Sequence, residues 1–110
     1  MLNKKLYRAV STNELKDWKK SNVFRCGKNT LEGKQFFETM EAVENFAYLA
    51  NKRKFEPPYI YILEITIDKE CLDKIEYEML ELDRYQALTI YEKDLAKLNK
   101  CKKEIQQYDI

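Results

Sequence analysis

The run Tyr59-Ile60-Tyr61-Ile62-Leu63-Glu64-Ile65-Thr66-Ile67 constrains the fold of this chain more than any other stretch. As a strand it sets Tyr59, Tyr61, Leu63, Ile65 and Ile67 on one face and Ile60, Ile62, Glu64 and Thr66 on the other. Apolar residues on both faces at its start predict a central strand. Such a strand needs a partner on each side for its two rows of backbone groups. Glu56-Pro57-Pro58 fixes its beginning, because the residue before a proline is pushed out of the helical region.

Only two Gly and two Pro occur, so long loops are few and can be placed. Lys5 to Val10 reads as a first strand, with Leu6, Arg8 and Val10 on one face and Tyr7 and Ala9 on the other. Ser11-Thr12-Asn13-Glu14 matches a capping box and opens a helix to about Lys20, with Leu15 and Trp18 as its apolar contacts. A loop from Ser21 to Gly33 follows, pinned by Val23 and Phe24 and turned at Cys26-Gly27 and Glu32-Gly33. Gln35 to Glu38 is a short strand. Thr39 is placed to cap a helix from Met40 to about Lys52, whose buried stripe is Val43, Phe46, Ala47 and Ala50. Beyond the central strand, Asp68 to Leu72 reads as a turn, Lys74 to Met79 as an edge strand and Gln86 to Tyr91 as a strand. Glu92 to Asn99 is a short helix, and the tail to Ile110 is expected to be helical or frayed. The expectation is one α+β domain over residues 1–110: a small split sheet, mixed or antiparallel, with two or three helices.

Composition narrows the function classes. Hydrophobic residues make up 45% and charged residues 35%, which excludes a disordered or membrane-embedded chain. The apolar run from Tyr59 to Leu63 is far short of the roughly 20 residues a spanning helix needs. No apolar segment follows Met1-Leu2-Asn3-Lys4-Lys5, so a cytoplasmic protein without a membrane partner is expected. Twenty basic residues balance 19 acidic ones, with the signs mixed along the chain, so no nucleic-acid partner is indicated. The Lys-rich ends, Lys4-Lys5 and Lys97 to Lys103, read as solvated faces. There is no His, hence no imidazole base and no His-ligated metal. Three Cys, at 26, 71 and 101, are odd in number and show no C-x-x-C spacing. Reduced thiols are expected, with Cys71 near the core, and no metal.

One constellation points towards a ligand. Arg8 shares a strand face with Leu6 and Val10, and an unpaired buried guanidinium is costly. Either Glu14 or Glu64 pairs it, or it faces a ligand; its planar fork suits a phosphate. Thr39 caps a helix whose N-terminus is itself an anion site. Phe36 and Phe37 read as one core and one cleft residue. On this reading Arg8 and Thr39 meet at the rim of one nucleotide cleft. The eight Tyr residues suit half-buried packing, with an interaction surface as the alternative.

The order of these pieces resembles the ADP-ribosyltransferase-like fold, in particular the small bacterial domains often found as toxin modules. Four segments carry the resemblance. Leu6-Tyr7-Arg8-Ala9-Val10-Ser11 with Glu14-Leu15 is similar to the opening strand and helix. Leu31-Glu32-Gly33-Lys34-Gln35-Phe36-Phe37-Glu38-Thr39, with Ala42 and Phe46-Ala47, is similar to the second motif. Ile60 to Ile67 resembles the central strand. Ala87-Leu88-Thr89-Ile90 with Lys93-Asp94-Leu95 and Asn99 resembles the closing strand and its turn. The resemblance implies NAD, as a substrate, in a cleft between two small sheets. It gives Arg8 the contact to the nicotinamide-ribose or phosphate side and Thr39 the support of the nicotinamide pocket, with Ser11 and Gln86 also among the cofactor-binding residues. Phe36 or Phe37 becomes the stacking wall. The family's acid, which stabilises the oxocarbenium-like transition state, belongs at the closing strand. Here Gln86 stands there, and Glu78 and Glu81 are the nearest carboxylates. An amide offers a dipole but no charge. The expected function is a catalytically weak or silent domain that binds a nucleotide or a protein. The alternatives are an active NAD-dependent transferase or glycohydrolase and a non-enzymatic interaction module.

Overall fold

The computed structural model describes residues 2–24, 33–82 and 84–110. In chain order the elements are β1 (Asn3–Val10), α1 (Thr12–Ser21), β2 (Gly33–Phe37), α2 (Met40–Lys52), β3 (Tyr61–Asp68), α3 (Lys69–Asp73), β4 (Glu78–Leu82), β5 (Tyr85–Tyr91), α4 (Glu92–Lys100) and β6 (Lys103–Asp109). The strands form one six-stranded sheet in the order β4-β5-β2-β1-β3-β6. Every neighbouring pair is antiparallel. The architecture is therefore α+β, with an antiparallel sheet.

The two-faced apolar strand is central, as its pattern predicts. β3 pairs with β1 from Asn3↔Asp68 to Val10↔Tyr61, and with β6 from Tyr61↔Asp109 to Ile67↔Lys103. Alternation then supplies two cores. On one face Leu6, Val10, Phe36, Leu63, Ile65, Ile67, Leu88 and Ile90 meet Leu15 of α1, Leu72 of α3, and Leu95 and Leu98 of α4. On the other face Tyr7, Ala9, Phe37, Ile62 and Ala87 meet Ala42, Val43 and Ala47 of α2. Each fully buried Leu, Ile or Phe contributes about 1.5–3 kcal/mol. Burial on both faces, more than strand propensity, fixes the register, since a one-residue slip would expose a whole row.

One junction of the sheet is thin. Among the described residues β1 and β2 are in register at a single position, Tyr7↔Phe37. By contrast β2 pairs with β5 from Gly33↔Tyr91 to Phe37↔Ala87. The sheet is thus two three-stranded halves, β4-β5-β2 and β1-β3-β6, joined at one place. Gly33 lets the first half close tightly: an added Cβ would come within 3.1 Å of the Tyr91 ring and 3.3 Å of the Ile90 carbonyl.

The helix starts follow their caps. Ser11 Oγ accepts from the Glu14 N–H at 3.3 Å, and Thr39 Oγ1 accepts from the Ala42 N–H at 3.1 Å. α1 ends where Asn22 turns left-handed (φ 58°), and its N–H bonds the Trp18 carbonyl. At the end of α4, Lys103 Nζ donates to the carbonyls of Leu98, Asn99 and Cys101. Burial pushes that ammonium below its ordinary pKa.

Several expectations are corrected. Four helices are present among the described residues, because residues 69–73, expected as a turn, make the short α3. The edge strand starts at Glu78, not Lys74: Leu72 and Ile75 are drawn into the core, and residues 74–77 complete that descent. The tail is strand β6, not helix. It is mostly polar, and only Ile105 packs on the core, so its own pattern carries little signal; pairing with β3 fixes it. The cysteines are not all free thiols. Cys71 and Cys101 form a disulfide with Cα atoms 5.9 Å apart. The register explains it. Ile67 of β3 lies opposite Lys103 of β6, so Cys71, just beyond one strand end, and Cys101, just before the other, are carried to the same edge. Cys26 and the expected turn at Cys26-Gly27 lie outside the described residues, as does Glu32 of the expected turn at Glu32-Gly33; Gly33 itself opens β2. None of the helices among the described residues is long and apolar enough to cross a membrane.

Candidate functional site

The thin junction between the half-sheets is where the charged side chains gather. Arg8 leaves β1 towards α1 and lies over the Phe36 ring, its guanidinium carbon 5.8 Å from the ring centroid. Its Nε and Nη2 donate to the two carboxylate oxygens of Glu14, at 2.6 and 2.8 Å. Its Nη1 donates to the Gln35 carbonyl at 2.9 Å. The guanidinium thus bonds β2 backbone next to the one paired position and ties the two halves together. Lys34 of β2 reaches the same carboxylate, Nζ to Oε1 at 3.4 Å. Of the two carboxylates that could pair Arg8, Glu14 does so; Glu64 instead meets Lys5 at 3.7 Å.

Burial alone would push the Glu14 carboxyl up, but Arg8 and then Lys34 outweigh it and hold the group below the ordinary carboxylate value. Tyr59 borders the cluster. Burial raises its phenol, Arg8 opposes that rise and Glu14 adds to it. Its ring packs against Phe46 of α2, with centroids 5.5 Å apart. Its backbone is clamped by Asn51, which accepts from the Tyr59 N–H at 2.9 Å and donates to its carbonyl at 2.8 Å.

Of the other expected residues, Thr39, Gln86, Glu78 and Glu81 are placed elsewhere. Thr39 follows the opposite end of β2 and caps α2, which covers the other face of the sheet. Arg8 and Thr39 therefore do not share one rim. Phe36 and Phe37 are both buried, one in each core: Phe36 lies beneath the Arg8 guanidinium, and Phe37 packs on the Phe46 ring. Ser11 is spent on the α1 cap. Gln86 is exposed on β5 and lies opposite Glu81 of the edge strand β4. Strands stand about 4.8 Å apart, so β4, three places from β1, is roughly 14 Å from Arg8. Glu78 accepts from the Tyr91 hydroxyl at 2.8 Å on the exposed surface. An apolar depression of about 450 Å³ lies elsewhere, against α4, with Phe24, Leu95 and Asn99 in its lining; none of the expected site residues borders it.

Lys34, Asn51, Tyr59 and Asn99 were not singled out as site or clamp residues from the sequence. Lys34 had a usable signal: two residues before Phe36, it must share that residue's buried face. Asn99 accepts from the Phe24 N–H at 2.7 Å and donates to its carbonyl at 2.8 Å. It is a two-sided clamp joined across 75 residues of chain, which no local pattern announces. Among the described residues no group of three His, Cys, Asp or Glu stands in a metal-holding arrangement. Comparison with family models, curated proteins and solved structures finds no significant match.

Thr39→Ala is expected to lower stability by about 1 kcal/mol, the usual worth of an N-cap. Urea unfolding monitored by circular dichroism measures it. A midpoint unchanged from wild type would show that the Ala42 bond contributes nothing.

Proposed function

We propose that this chain is a catalytically silent domain of ADP-ribosyltransferase-like design that acts by binding a protein. The observation that carries the reading is the state of Arg8. All three edges of its guanidinium are engaged, by Glu14 and by the Gln35 carbonyl. NAD cleavage needs a carboxylate beside the glycosidic bond, where cationic character develops. Glu78 and Glu81 sit on the far edge strand instead. The division of the sheet into two halves with an Arg on the first strand supports the family reading. So does the helix that follows the second strand. A nucleotide at the same junction is the second reading, favoured by the two cations, Arg8 and Lys34, that converge there on Glu14.

Purified protein incubated with NAD is expected to release nicotinamide no faster than water does. Glu78→Gln and Glu81→Gln should leave that rate unchanged. Release well above water that either variant abolishes would overturn the silent reading. Titration with ADP-ribose separates the second reading: saturable heat lost in Lys34→Ala favours a nucleotide, and its absence favours the protein ligand.

A further inference from the structure

We propose that the outer edge of β4 is a strand-addition site for an extended peptide segment with two basic residues, three positions apart, among apolar ones. The inference goes beyond the binding-domain reading and names where a protein partner docks.

β4 ends the sheet, and among the described residues no strand pairs with its outer edge. An edge like this presents unpaired N–H and C=O groups, which natural proteins blunt with a short strand, charged side chains (Lys above all), Pro or a covering element; β4 is five residues long and its charges are Glu78 and Glu81. β4 carries neither Lys nor Pro. It is exposed over Glu78 to Glu81, and Met79 and Leu80 are 43% and 39% exposed, with Tyr77 just before them at 40%. Large apolar side chains on an open edge are the signature of β-augmentation, in which backbone bonds give affinity and alternate side chains give specificity.

The side chains specify the occupant. Met79 and Glu81 share the face of Leu88 and Gln86; Glu78, Leu80 and Leu82 share the face of Thr89, Ala87 and Tyr85. An antiparallel strand laid on this edge would set, from its N-terminus, an apolar residue against Leu82 and a basic one against Glu81. Two apolar residues would follow against Leu80 and Met79, then a basic one against Glu78. Opposite charges directly across a ladder stabilise it and like charges destabilise it. A second copy fits worse. Residues 78–82 hold no cation, so β4 against β4 leaves each Glu facing an apolar residue or, shifted by one place, sets Glu78 against Glu81.

The probe is a dye-labelled peptide, Thr-Val-Lys-Val-Val-Lys-Thr, with a second in which both Lys are Glu. Fluorescence anisotropy on the full chain should show the Lys peptide binding at least about tenfold more tightly than the Glu peptide. The Glu78→Lys/Glu81→Lys variant should reverse that preference. Both positions are exposed, and a thermal melt confirms that the variant is folded. Backbone amide shifts on adding the Lys peptide should cluster on β4 and its neighbour β5. The proposal is overturned if both peptides bind alike, if neither binds, or if the shifts fall on β6. It is also overturned if the chain forms a dimer that the double variant abolishes, since the occupant is then a second copy. Nicotinamide release in the earlier assay would end the silent reading and leave this result standing. Peptide failure with no release would do the reverse.

Discussion

Glu14→Gln is expected to destabilise the protein by about 2–4 kcal/mol. Removing one partner of a buried ion pair leaves the other uncompensated, at a cost of roughly 3–5 kcal/mol when burial is complete. Here Arg8, Glu14 and Lys34 are 14%, 22% and 10% exposed, which trims the figure. The loss exceeds that of an ordinary pair because two cations, Arg8 and Lys34, share the carboxylate. Arg8 also bridges the half-sheets through the Gln35 carbonyl, so its release loosens the one place where β1 meets β2. The triple variant Arg8→Met/Glu14→Leu/Lys34→Met should recover most of the loss, because apolar residues of similar size remove all three charges together. The pH dependence has a definite sign. The Glu14 carboxyl lies below its ordinary value of 4.5 in the folded state. Its contribution is therefore full above that value and falls away as pH drops through the folded-state value. Wild type should lose stability over that acid window, and Glu14→Gln should lack this part of the acid limb. Urea midpoints at neutral pH and at about pH 3 test both statements. A variant within about 0.5 kcal/mol of wild type at neutral pH would show that the trio is a surface ornament.

Much of the fold was legible because local signals and burial agreed. The capping residues Ser11 and Thr39 stand where their spacing put them, and β3 is central because its apolar residues occupy both faces. The failures share a cause. β6 is mostly polar, so its strand state comes from β3 and not from its own sequence. The Cys71–Cys101 pair and the Asn99 clamp on Phe24 join residues far apart in the chain, and only the strand order brings them together. At the candidate site, the choice between Glu14 and Glu64 for Arg8 was visible but undecided. Strand register decides it: Glu64 lies opposite Tyr7, on the face away from Arg8, whereas Glu14 comes from α1, which covers the face of Arg8. The expected meeting of Arg8 and Thr39 failed for a topological reason. Both sit near β1 and β2 in sequence, but α1 and α2 cover opposite faces, and each residue goes with its helix. The cluster that does form includes Lys34, whose side chain reaches Glu14 from β2.

Replacing both cysteines, Cys71→Ala with Cys101→Ala, is expected to lower stability by roughly 3–4 kcal/mol. The crosslink closes a loop of 30 residues, and in the chain-entropy account a loop of that length restricts the unfolded state by about that much. The enclosed segment is α3, β4, β5 and α4, which is the outer part of one half-sheet and the helix packed on it. The linked ends also matter in the folded state. Cys101 is buried at the end of α4 beside Leu98, and Cys71 packs on the same core from α3, so the bond holds α3 and α4 together where β3 and β6 meet. Guanidinium unfolding of the oxidised chain, the reduced chain and the double variant gives the measurement. The oxidised chain should unfold at the highest denaturant concentration. Reduction should lower the midpoint of wild type and leave the double variant unmoved. Equal midpoints for oxidised and reduced wild type would refute the account. The result also bears on where the chain can work: a stability that depends on this bond favours an oxidising compartment, because cytosolic thiols are held reduced. A reduced chain that still unfolds cooperatively and close to the oxidised one would instead fit the cytoplasmic expectation raised by the sequence.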